Sequence, residues 1–483
     1  MYSNKIIKTK KIFDMQTFIT SRIKWVVFLA SLIMFSCISN DSVRRQAEVQ
    51  MRDLAKILAD GKLVAVTDYN STSYFLYKGE PMGYQYDLLR DLASYLGVKL
   101  ELIAENDIEK SFEMLKNGEV DIIANNLTIT TQRKKEFNFT TPHGETRQVL
   151  VQRVPSTSEE SEKLIVKNPL DLSGKVVYVQ RSSAAAQRLS NLSEEIGGNI
   201  MIVELPEYDA EQLIDLVAMG EIDYVVCDET VAQIKASSLQ NVDYSTAIGF
   251  PQHTAWALRQ SSPELLNKVN AWFEGYLSTS RYAMIKRKYY ENPNHLKRLS
   301  NDYYFVHQDR VSEWDEYFKK NSPKINWDWR LLASLVYQES RFKHDVVSHK
   351  GATGVMQFMP QTAEHWGIDS TVSAKEQIEV GVKYLKWLDD KMVEYNIPEK
   401  ERFKFVLAAY NAGIGHVIDA RNLARKYGKD PNVWDENVEY FIRHKSEFLS
   451  DTVVRFGRLR GEETFRYVSE IIDRYEHYKN ILK

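Results

Sequence analysis

"GEVDIIANNLTITTQRKKEFNFTTPH", residues 118–143, carries the pattern that decides the fold of the first half of the chain. Its β-branched run "DIIANNLTI" predicts a strand. Similar short runs recur between Lys62 and about Tyr290, where they alternate with amphipathic helices that are closed by glycine. This alternation predicts α/β units with largely parallel sheets.

After Tyr290 the strand signal disappears and helical periodicity takes over. Apolar residues recur at helical spacing in "WRLLASLVYQES" (329–340), "RFKFVLAAYNAG" (402–413) and "ETFRYVSEIIDRYEHYKNIL" (463–482). We therefore predict a mainly helical second region, with the linker in the stretch 291–302.

Composition limits the class of protein and the kinds of partner. With 483 residues, 43% hydrophobic and 27% charged, the chain has the make-up of a folded protein of two or three domains. The net charge is −3 and the basic residues are scattered, so no basic stripe points to nucleic acid. Neither a metal-ligand spacing nor a phosphate-binding loop is found, so we expect no metal and no cofactor.

The N-terminal stretch "RIKWVVFLASLIMFSCISN" (22–40) has the features of a secretory signal. Basic residues precede a short apolar run that ends at Ser36 and Cys37, and this order resembles the lipobox of bacterial lipoproteins. The resemblance implies a signal peptide at 1–36, a lipidated Cys37, a tether at 37–61 and an outer-membrane lipoprotein that faces the periplasm. A plain signal anchor with an incidental cysteine is the alternative.

Several ordered segments of the first region resemble the solute-binding family that captures polar amino acids for import. They are residues 79–102, 118–143, 170–189 and 220–232. The resemblance implies a two-lobed α/β domain like a periplasmic binding protein, with a ligand cleft between the lobes, and we place this domain at 62–292.

The same resemblance assigns four residues to the ligand. Arg133 would pair with a carboxylate through its planar guanidinium, with Thr128 and Ser183 adding hydrogen bonds. Asp228 would receive an ammonium group. The alternatives are a surface arginine in the charged cluster "TTQRKK" and a turn or cap aspartate. The ligand implied is a small carboxylate-bearing molecule such as an amino acid or a muropeptide.

Glu339 is the candidate for chemistry in the second region. It lies four residues beyond Leu335, on the apolar face of its predicted helix, where a carboxylate is costly unless it is paired, protonated or used. Apolar surroundings raise a carboxyl pKa because they disfavour the anion. Since glycoside cleavage needs an acid that is still protonated near neutral pH, Glu339 is the candidate general acid.

Glu339-Ser340 is followed in order by "SHKGATGVMQFMPQTA" (348–363), "AAYNAG" (408–413) and "ETFRYVSEI" (463–471). This set resembles the catalytic domain of soluble-type lytic transglycosylases, whose fold is related to goose-type lysozyme. With the solute-binding-like domain before it, the arrangement is similar to the membrane-bound lytic transglycosylase F family. We place the catalytic domain at 303–483.

The family resemblance implies cleavage of peptidoglycan glycan strands between N-acetylmuramic acid and N-acetylglucosamine, with a 1,6-anhydro product. No Asp or Glu in the other three motifs supplies the second carboxylate that ordinary retaining or inverting hydrolases need. A muramidase that adds water is the enzymatic alternative. A solute-binding or sensor lipoprotein with an inert helical domain is the alternative from another class.

The substrate-binding residues that the resemblance implies are Ser340, Met356, Gln357, Tyr410, Asn411 and Tyr467. The serine and the glutamine would hydrogen-bond the sugar, and Met356 would pack beside an acetyl group. Tyr410 and Asn411 would hold the sugar and the carboxyl of Glu339, and Tyr467 would reach that acid from the last helix. Packing in the core is the alternative for the methionine and for Tyr467.

Overall fold

The computed structural model describes residues 52–77, 79–154, 165–205, 208–237, 239, 241–292, 310–348, 351–368 and 372–482. The predicted signal peptide, Cys37 and most of the predicted linker lie outside these ranges.

The first region contains thirteen strands and eight α-helices among its described residues. The strands are β1 (Lys62–Thr67), β2 (Phe75–Tyr77), β3 (Glu80–Met82), β4 (Lys99–Ala104), β5 (Ile122–Thr128), β6 (Phe137–Phe139), β7 (Gly144–Thr146), β8 (Gln148–Arg153), β9 (Val176–Gln180), β10 (Met201–Leu205), β11 (Tyr224–Asp228), β12 (Val242–Ala247) and β13 (Gln252–Arg259). The helices are α1 (Leu54–Asp60), α2 (Tyr84–Leu96), α3 (Ile108–Lys116), α4 (Ala184–Glu195), α5 (Ala210–Met219), α6 (Glu229–Ala236), α7 (Pro263–Tyr276) and α8 (Ser280–Lys286).

Two sheets form the two lobes. The first has the order β4-β1-β5-β13-β6 with β7 beside β13, and the second has the order β10-β9-β11-β8-β12. The predicted α/β class and two-lobed form are confirmed, but the sheets are mixed rather than largely parallel. The chain crosses between lobes twice, through β7–β8 and β12–β13, and β8 and β13 run antiparallel to β11 and β5 in the sheets that they enter.

Residue choice explains the ends of the predicted helices. Gly97 and Gly220 close α2 and α5 with left-handed backbone angles (φ 70° and 81°) that favour glycine. Asp209 begins α5 with a capping box, because its side chain accepts from the backbone of Gln212, whose side chain bonds back.

The regular elements in the described part of 310–482 are all helical. The α-helices are α9 (Asp315–Asn321), α10 (Trp329–Ser340), α11 (Pro360–Trp366), α12 (Ala374–Glu394), α13 (Glu399–Ala412), α14 (Ile414–Lys426), α15 (Glu439–Arg443) and α16 (Gly461–Ile481). The long helix α16 packs along α10 and α13, and α13 also packs on α12. In the described residues we find no helix with the length and apolar character required to span a bilayer.

The helical region packs directly on the first lobe, and one apolar core cluster includes residues of both. From α16, Arg474 pairs with Glu80 at 3.2 Å, and the Tyr478 hydroxyl donates to the carbonyl of Gly79 at 3.1 Å. The ring of Tyr337, two residues before Glu339 on α10, lies against the same glycine. The helix that carries Glu339 and the helix α16 therefore both contact the first lobe.

Candidate active site

The buried helix α10 presents Glu339 in its last turn. Residues 331–337 of this helix are all buried, and Glu339 itself is partly buried. Burial raises the pKa of the Glu339 carboxyl to about 7 from an ordinary value of 4.5, while the hydrogen bond from Tyr467 acts in the opposite direction. In a large fraction of the molecules the Glu339 carboxyl is therefore protonated near neutral pH, which is the state that a general acid needs.

Tyr467 reaches Glu339 from the second turn of α16. Its hydroxyl donates a hydrogen bond to Oε1 of Glu339, and its ring is buried in the core. The residue therefore packs and also orients the acid. A donor on this oxygen stabilises the carboxylate that forms when the proton leaves.

The loop after α10 is fixed by close contacts to its neighbours. Gly354 has φ +78°, and a Cβ atom there would lie 2.0 Å from Oε1 of Gln377 on α12. That same oxygen accepts from the backbone N–H of Val355 at 2.9 Å. Gln357 donates from Nε2 to the carbonyls of Val346 and Gly354, at 3.0 and 2.9 Å, so its amide nitrogen braces the loop and its oxygen is the group left for a sugar.

The side chain of Met356 is completely buried against Gly381 of α12, where the missing Cβ leaves room for the thioether. This is the core packing that the sequence leaves as the alternative to a contact with an acetyl group. The carbonyl of Met356 accepts a hydrogen bond from the Tyr410 hydroxyl at 2.7 Å. Ser340 is also buried, and its hydroxyl donates to the carbonyl of Val336 at 3.3 Å.

Asn411 is held by Thr464, a residue that the sequence analysis did not identify. Its Oδ1 accepts from the Thr464 hydroxyl at 2.8 Å, which leaves the Nδ2 donors for a ligand. Thr464 precedes Tyr467 by three residues, so both lie on one face of α16. That spacing within "ETFRYV" is the signal that could have identified it.

An aromatic strip extends from the acid toward the surface, formed by Tyr410, Tyr384, Trp366 and Trp387. Burial raises the pKa of Tyr410, and the negative charge of Glu339 raises it further. The Tyr410 hydroxyl and the Glu339 carboxyl therefore lie within electrostatic range of each other. The ring of Tyr384 lies 5.4 Å from that of Tyr410, 5.8 Å from Trp366 and 6.0 Å from Trp387. Trp387 is 41% exposed, which leaves an aromatic face open to a sugar ring.

No second carboxylate of the described residues acts on the acid. The two causes of the Glu339 pKa shift are burial and the Tyr467 hydrogen bond, and neither is an Asp or a Glu. A carboxylate close enough to serve as nucleophile or base would raise that pKa by like-charge repulsion. The geometry therefore fits a mechanism with a single acid.

The four residues assigned to the ligand of the first domain meet at the cleft between its lobes. Thr128, Arg133, Ser183 and Asp228 all line one cavity of about 120 Å³. Arg133 spans the cleft, since its guanidinium donates to the carbonyls of Thr128 and Ser182 at 3.0 and 3.2 Å.

Each of the other two assigned residues lies at a helix start. Ser183 is the N-cap of α4, where its hydroxyl accepts from the backbone N–H of Ala186 at 3.2 Å. Asp228 precedes α6 without capping it, and its carboxylate accepts from Nε2 of Gln148 at 3.1 Å.

Three more acidic residues line this cavity and were not predicted from the sequence: Asp68, Asp209 and Glu211. Asp68 follows β1, and the other two start α5, so their pattern is that of ordinary strand-end and helix-cap residues. Only the closure of the two lobes brings them together.

Comparison with known proteins matches both halves of the chain. The family of bacterial extracellular solute-binding proteins, family 3, matches residues 62–292, and the transglycosylase SLT domain matches residues 316–433. Among solved structures, an ancestral amino acid-binding protein, AncCDT-1, has a TM-score of 0.42 and 26% identity, covering 49% of this chain and 98% of that one.

Full-length relatives share both parts. The chain is 31% identical over 433 residues to the membrane-bound lytic murein transglycosylase F of Desulfosudis oleivorans. The aligned region covers 89% of this chain and 92% of that relative. The chain is 30% identical over 457 residues to the protein of the same name from Idiomarina loihiensis, covering 94% and 96%. With both domains matched in the same order, the chain belongs to the membrane-bound lytic murein transglycosylase F family.

Proposed function

We propose that this chain is a peptidoglycan lytic transglycosylase in which Glu339 acts first as general acid and then as general base. The observation that carries the proposal is a buried carboxyl with a pKa of about 7, bonded to Tyr467 and without a second carboxylate acting on it among the described residues.

In the proposed reaction Glu339 gives up one proton and takes up another, so it ends in its starting state. Glu339 protonates the oxygen that bridges N-acetylmuramic acid and N-acetylglucosamine, and the bond from this oxygen to C1 of the muramoyl ring breaks. The Glu339 carboxylate then takes the proton of the muramoyl C6 hydroxyl, and O6 bonds to the positively charged C1. The products are a 1,6-anhydro muramoyl end and a free N-acetylglucosamine end, and no water is consumed.

The surrounding residues orient the acid and the glycan. Tyr467 stabilises the anion between the two proton transfers, and Tyr410 ties α13 to the carbonyl of Met356. Asn411 offers amide donors, and Trp387 offers an exposed ring on which a sugar can stack.

The test is digestion of purified peptidoglycan with the native protein and with Glu339→Gln. We expect the native protein to release anhydro fragments, and the variant, which keeps the size of the side chain, to release none. A muramidase would release fragments heavier by one water, so the product mass separates the two reactions.

We further propose that the first domain binds a small carboxylate-bearing ligand. Arg133 and Thr128 would receive the carboxylate, Ser183 would place it at the N-terminus of α4, and Asp228 would receive an ammonium group. The shared cavity supports this assignment. Titration calorimetry with free amino acids tests it, since Arg133→Ala should abolish binding that the native chain shows.

For the location of the protein, we propose lipidation at Cys37 and attachment to the outer membrane on its periplasmic side, with domains at 62–292 and 303–483. The lipobox-like order before Cys37 and the relatives' membrane-bound description support this. Labelling of cells with a radioactive fatty acid should mark the native protein, and Cys37→Ala should remain unlabelled.

A further inference from the structure

The loop that leads into α16 carries three positive charges without an anion beside them. Arg455, Arg458 and Arg460 are all exposed, and their guanidinium groups form no ion pair or hydrogen bond with any residue that the structure describes. We call residues 455–460 the arginine loop. A surface cluster of one sign attracts an opposite charge from outside, so the loop favours an anionic partner.

The acidic residues beside the arginine loop do not neutralise it. Glu462 pairs with Arg443 at 2.6 Å and with Arg466 at 3.1 Å. Asp451 pairs with a lysine of α14 at 2.7 Å. Glu463 is exposed and, within the described chain, forms no ion pair with the loop. The three guanidinium groups are therefore available to a carboxylate or phosphate that comes from outside.

A buried ion pair fixes the position of the arginine loop. Lys445 and Asp419 are both completely buried, with Nζ 2.7 Å from Oδ2 and also 2.6 Å from Nδ1 of His416. The Asp419 carboxylate also accepts from the backbone N–H groups of Arg455 at 2.9 Å and Phe456 at 2.8 Å. These bonds complete the buried carboxylate, which would otherwise be costly. The loop is therefore ordered before a ligand arrives, which lowers the entropy cost of binding.

The loop also presents an aromatic ring beside the start of α14. Phe456 is 51% exposed, and one side of its ring lies so close to Gly415 that a Cβ there would overlap it. Gly415 follows Asn411, the proposed sugar-binding residue, by four positions. The open part of the ring is therefore placed where a glycan that passes Asn411 can stack on it.

The arginine loop lies close to the candidate acid along α16. Arg460 directly precedes this helix, and Tyr467, which bonds to Glu339, follows seven residues later, about 10 Å along the helix axis. Between them, Thr464 bonds to Asn411 at 2.8 Å. The loop therefore approaches the site from the start of α14 and α16, whereas Trp387 and the aromatic strip approach it from α12.

The glycan strand that this family cleaves carries anions at regular intervals. Each N-acetylmuramic acid bears a lactyl group, and in peptidoglycan a short peptide with free carboxylates is attached to it. Guanidinium groups bind carboxylates through paired hydrogen bonds. Phospholipid headgroups are the other anions near a membrane-attached protein. The aromatic ring beside Asn411 and the short distance to the acid favour the glycan strand.

We propose that the arginine loop binds the peptide carboxylates of the glycan strand while Phe456 stacks on one of its sugar rings. The three arginines are then substrate-positioning residues, and the chain prefers strands whose peptides carry free carboxylates. This inference rests on the proposed transglycosylase function and names the feature of the substrate that the loop recognises.

The test compares two forms of soluble, uncross-linked peptidoglycan strands with the full chain. One form is untreated, and in the other the peptide carboxyl groups are converted to amides with a carbodiimide and ammonia, which removes the charge and keeps the shape. Exposed ion pairs each contribute modestly, so three together should raise kcat/KM for the charged form about fivefold to tenfold. The difference should lie in KM, because the contacts are remote from the reacting bond, and it should shrink at about 0.5 M salt.

The two possible failures are distinguishable. Equal kcat/KM for the two forms, with anhydro products from both, would overturn the role of the arginine loop and leave the proposed function intact. Absence of anhydro products from either form would overturn both.

Variants locate the preference on the loop. The ratio of kcat/KM between the charged and the amidated form should fall to about one in a triple variant that keeps the backbone N–H groups bonded to Asp419. The substitutions in this variant are Arg455→Gln, Arg458→Gln and Arg460→Gln.

A second triple variant with the same change of net charge is the matched control. It removes three exposed cations at the ends of α13 and α14 that lie away from Gly413, so the native ratio should persist. Its substitutions are Lys400→Gln, Arg425→Gln and Lys429→Gln. A native ratio in the arginine-loop variant, or an equal fall in both variants, would contradict the proposal.

The aromatic contact has its own test. Phe456→Ala should raise KM for the charged and the amidated form alike, because stacking on a sugar does not depend on the charge of the peptide. Phe250→Ala is the control, since Phe250 is 86% exposed between β12 and β13 of the first domain, and it should leave KM unchanged. An unchanged KM in Phe456→Ala would show that the ring does not contact the strand.

Discussion

At the scale of the residue, burial in the last turn of α10 holds the Glu339 carboxyl at a pKa of about 7. The free enzyme needs this group protonated to cleave, so kcat/KM should fall as pH rises through about 7. Rates of anhydro-product release measured between about pH 5 and pH 9 check this. Glu364→Gln, an exposed glutamate nearby in the sequence, should keep the native profile. A flat profile in the native protein would contradict the role of Glu339.

The same raised pKa makes Glu339 costly for folding. The unfolded carboxyl ionises near 4.5 and the folded one near 7, so the folded state binds its proton more tightly. The stability cost is therefore absent below about pH 4.5, grows between the two values and is fully present above about pH 7. Glu339→Gln should lack this cost and exceed the native free energy of unfolding by up to about 3 kcal/mol above pH 7. Denaturant unfolding at about pH 4 and pH 8 measures the difference, and a gap that does not widen with pH would contradict it.

Tyr467 is a positioning residue, and its removal should change the pH profile as well as the rate. The hydrogen bond to Oε1 stabilises the Glu339 anion, so Tyr467→Phe should raise the pKa of Glu339 and move the alkaline limb upward. We also expect a loss of rate of roughly tenfold to a hundredfold. Tyr475→Phe on the same helix, whose hydroxyl bonds to Asp328, should leave the limb in place. If both variants shift the profile alike, the effect belongs to the helix and not to this contact.

At the scale of the element, the loop after α10 depends on a glycine that allows close approach to α12. In Gly354→Ala the new Cβ would meet the Gln377 side chain, so we expect a lower unfolding temperature and at least roughly tenfold slower cleavage. Gly367→Ala is the matched control, because Gly367 also has positive φ (+69°) but nothing lies within 4 Å of its Cβ position. Equal losses in the two variants would mean that backbone strain alone accounts for the effect.

Local patterns were enough to predict most of these elements and to select Glu339 as the candidate acid. The strand β5 and the helix α10 follow the predicted runs closely. Glu339 was identifiable because a carboxylate on an apolar helix face is costly unless it is paired, protonated or used in the chemistry. What could not be predicted depends on contacts between distant segments. The burial of Met356 needs Gly381 on another helix, and Asp68 meets Asp209 and Glu211 at one cavity only because the two lobes close.

At the scale of the whole molecule, the first lobe contacts the helix that carries the candidate acid Glu339 and the helix that carries its partner Tyr467. Gly79 of that lobe lies against Tyr337 of α10 and Tyr478 of α16, and a Cβ there would come within 2.5 Å of the Tyr337 ring. Gly79→Ala should therefore reduce the cleavage rate several-fold, although the residue belongs to the first domain. Turnover of purified peptidoglycan measures it.

Gly97→Ala supplies the control for this contact. Gly97 is in the same lobe and also has positive φ (+70°), but nothing lies within 4 Å of its Cβ position. Its substitution should leave the cleavage rate unchanged. If the two variants cleave at the same rate, the contact between the domains does not act on the acid.

The most direct measurement is the mass of the products that the native chain and Glu339→Gln release from purified peptidoglycan. Glu339 donates its proton to the bridging oxygen and then takes the proton of the muramoyl C6 hydroxyl, so no water enters the product. This mechanism predicts muramoyl ends that are lighter by one water than hydrolysed ends, and no release by the variant. Fully hydrated ends from the native protein, or cleavage that persists in Glu339→Gln, would contradict this mechanism.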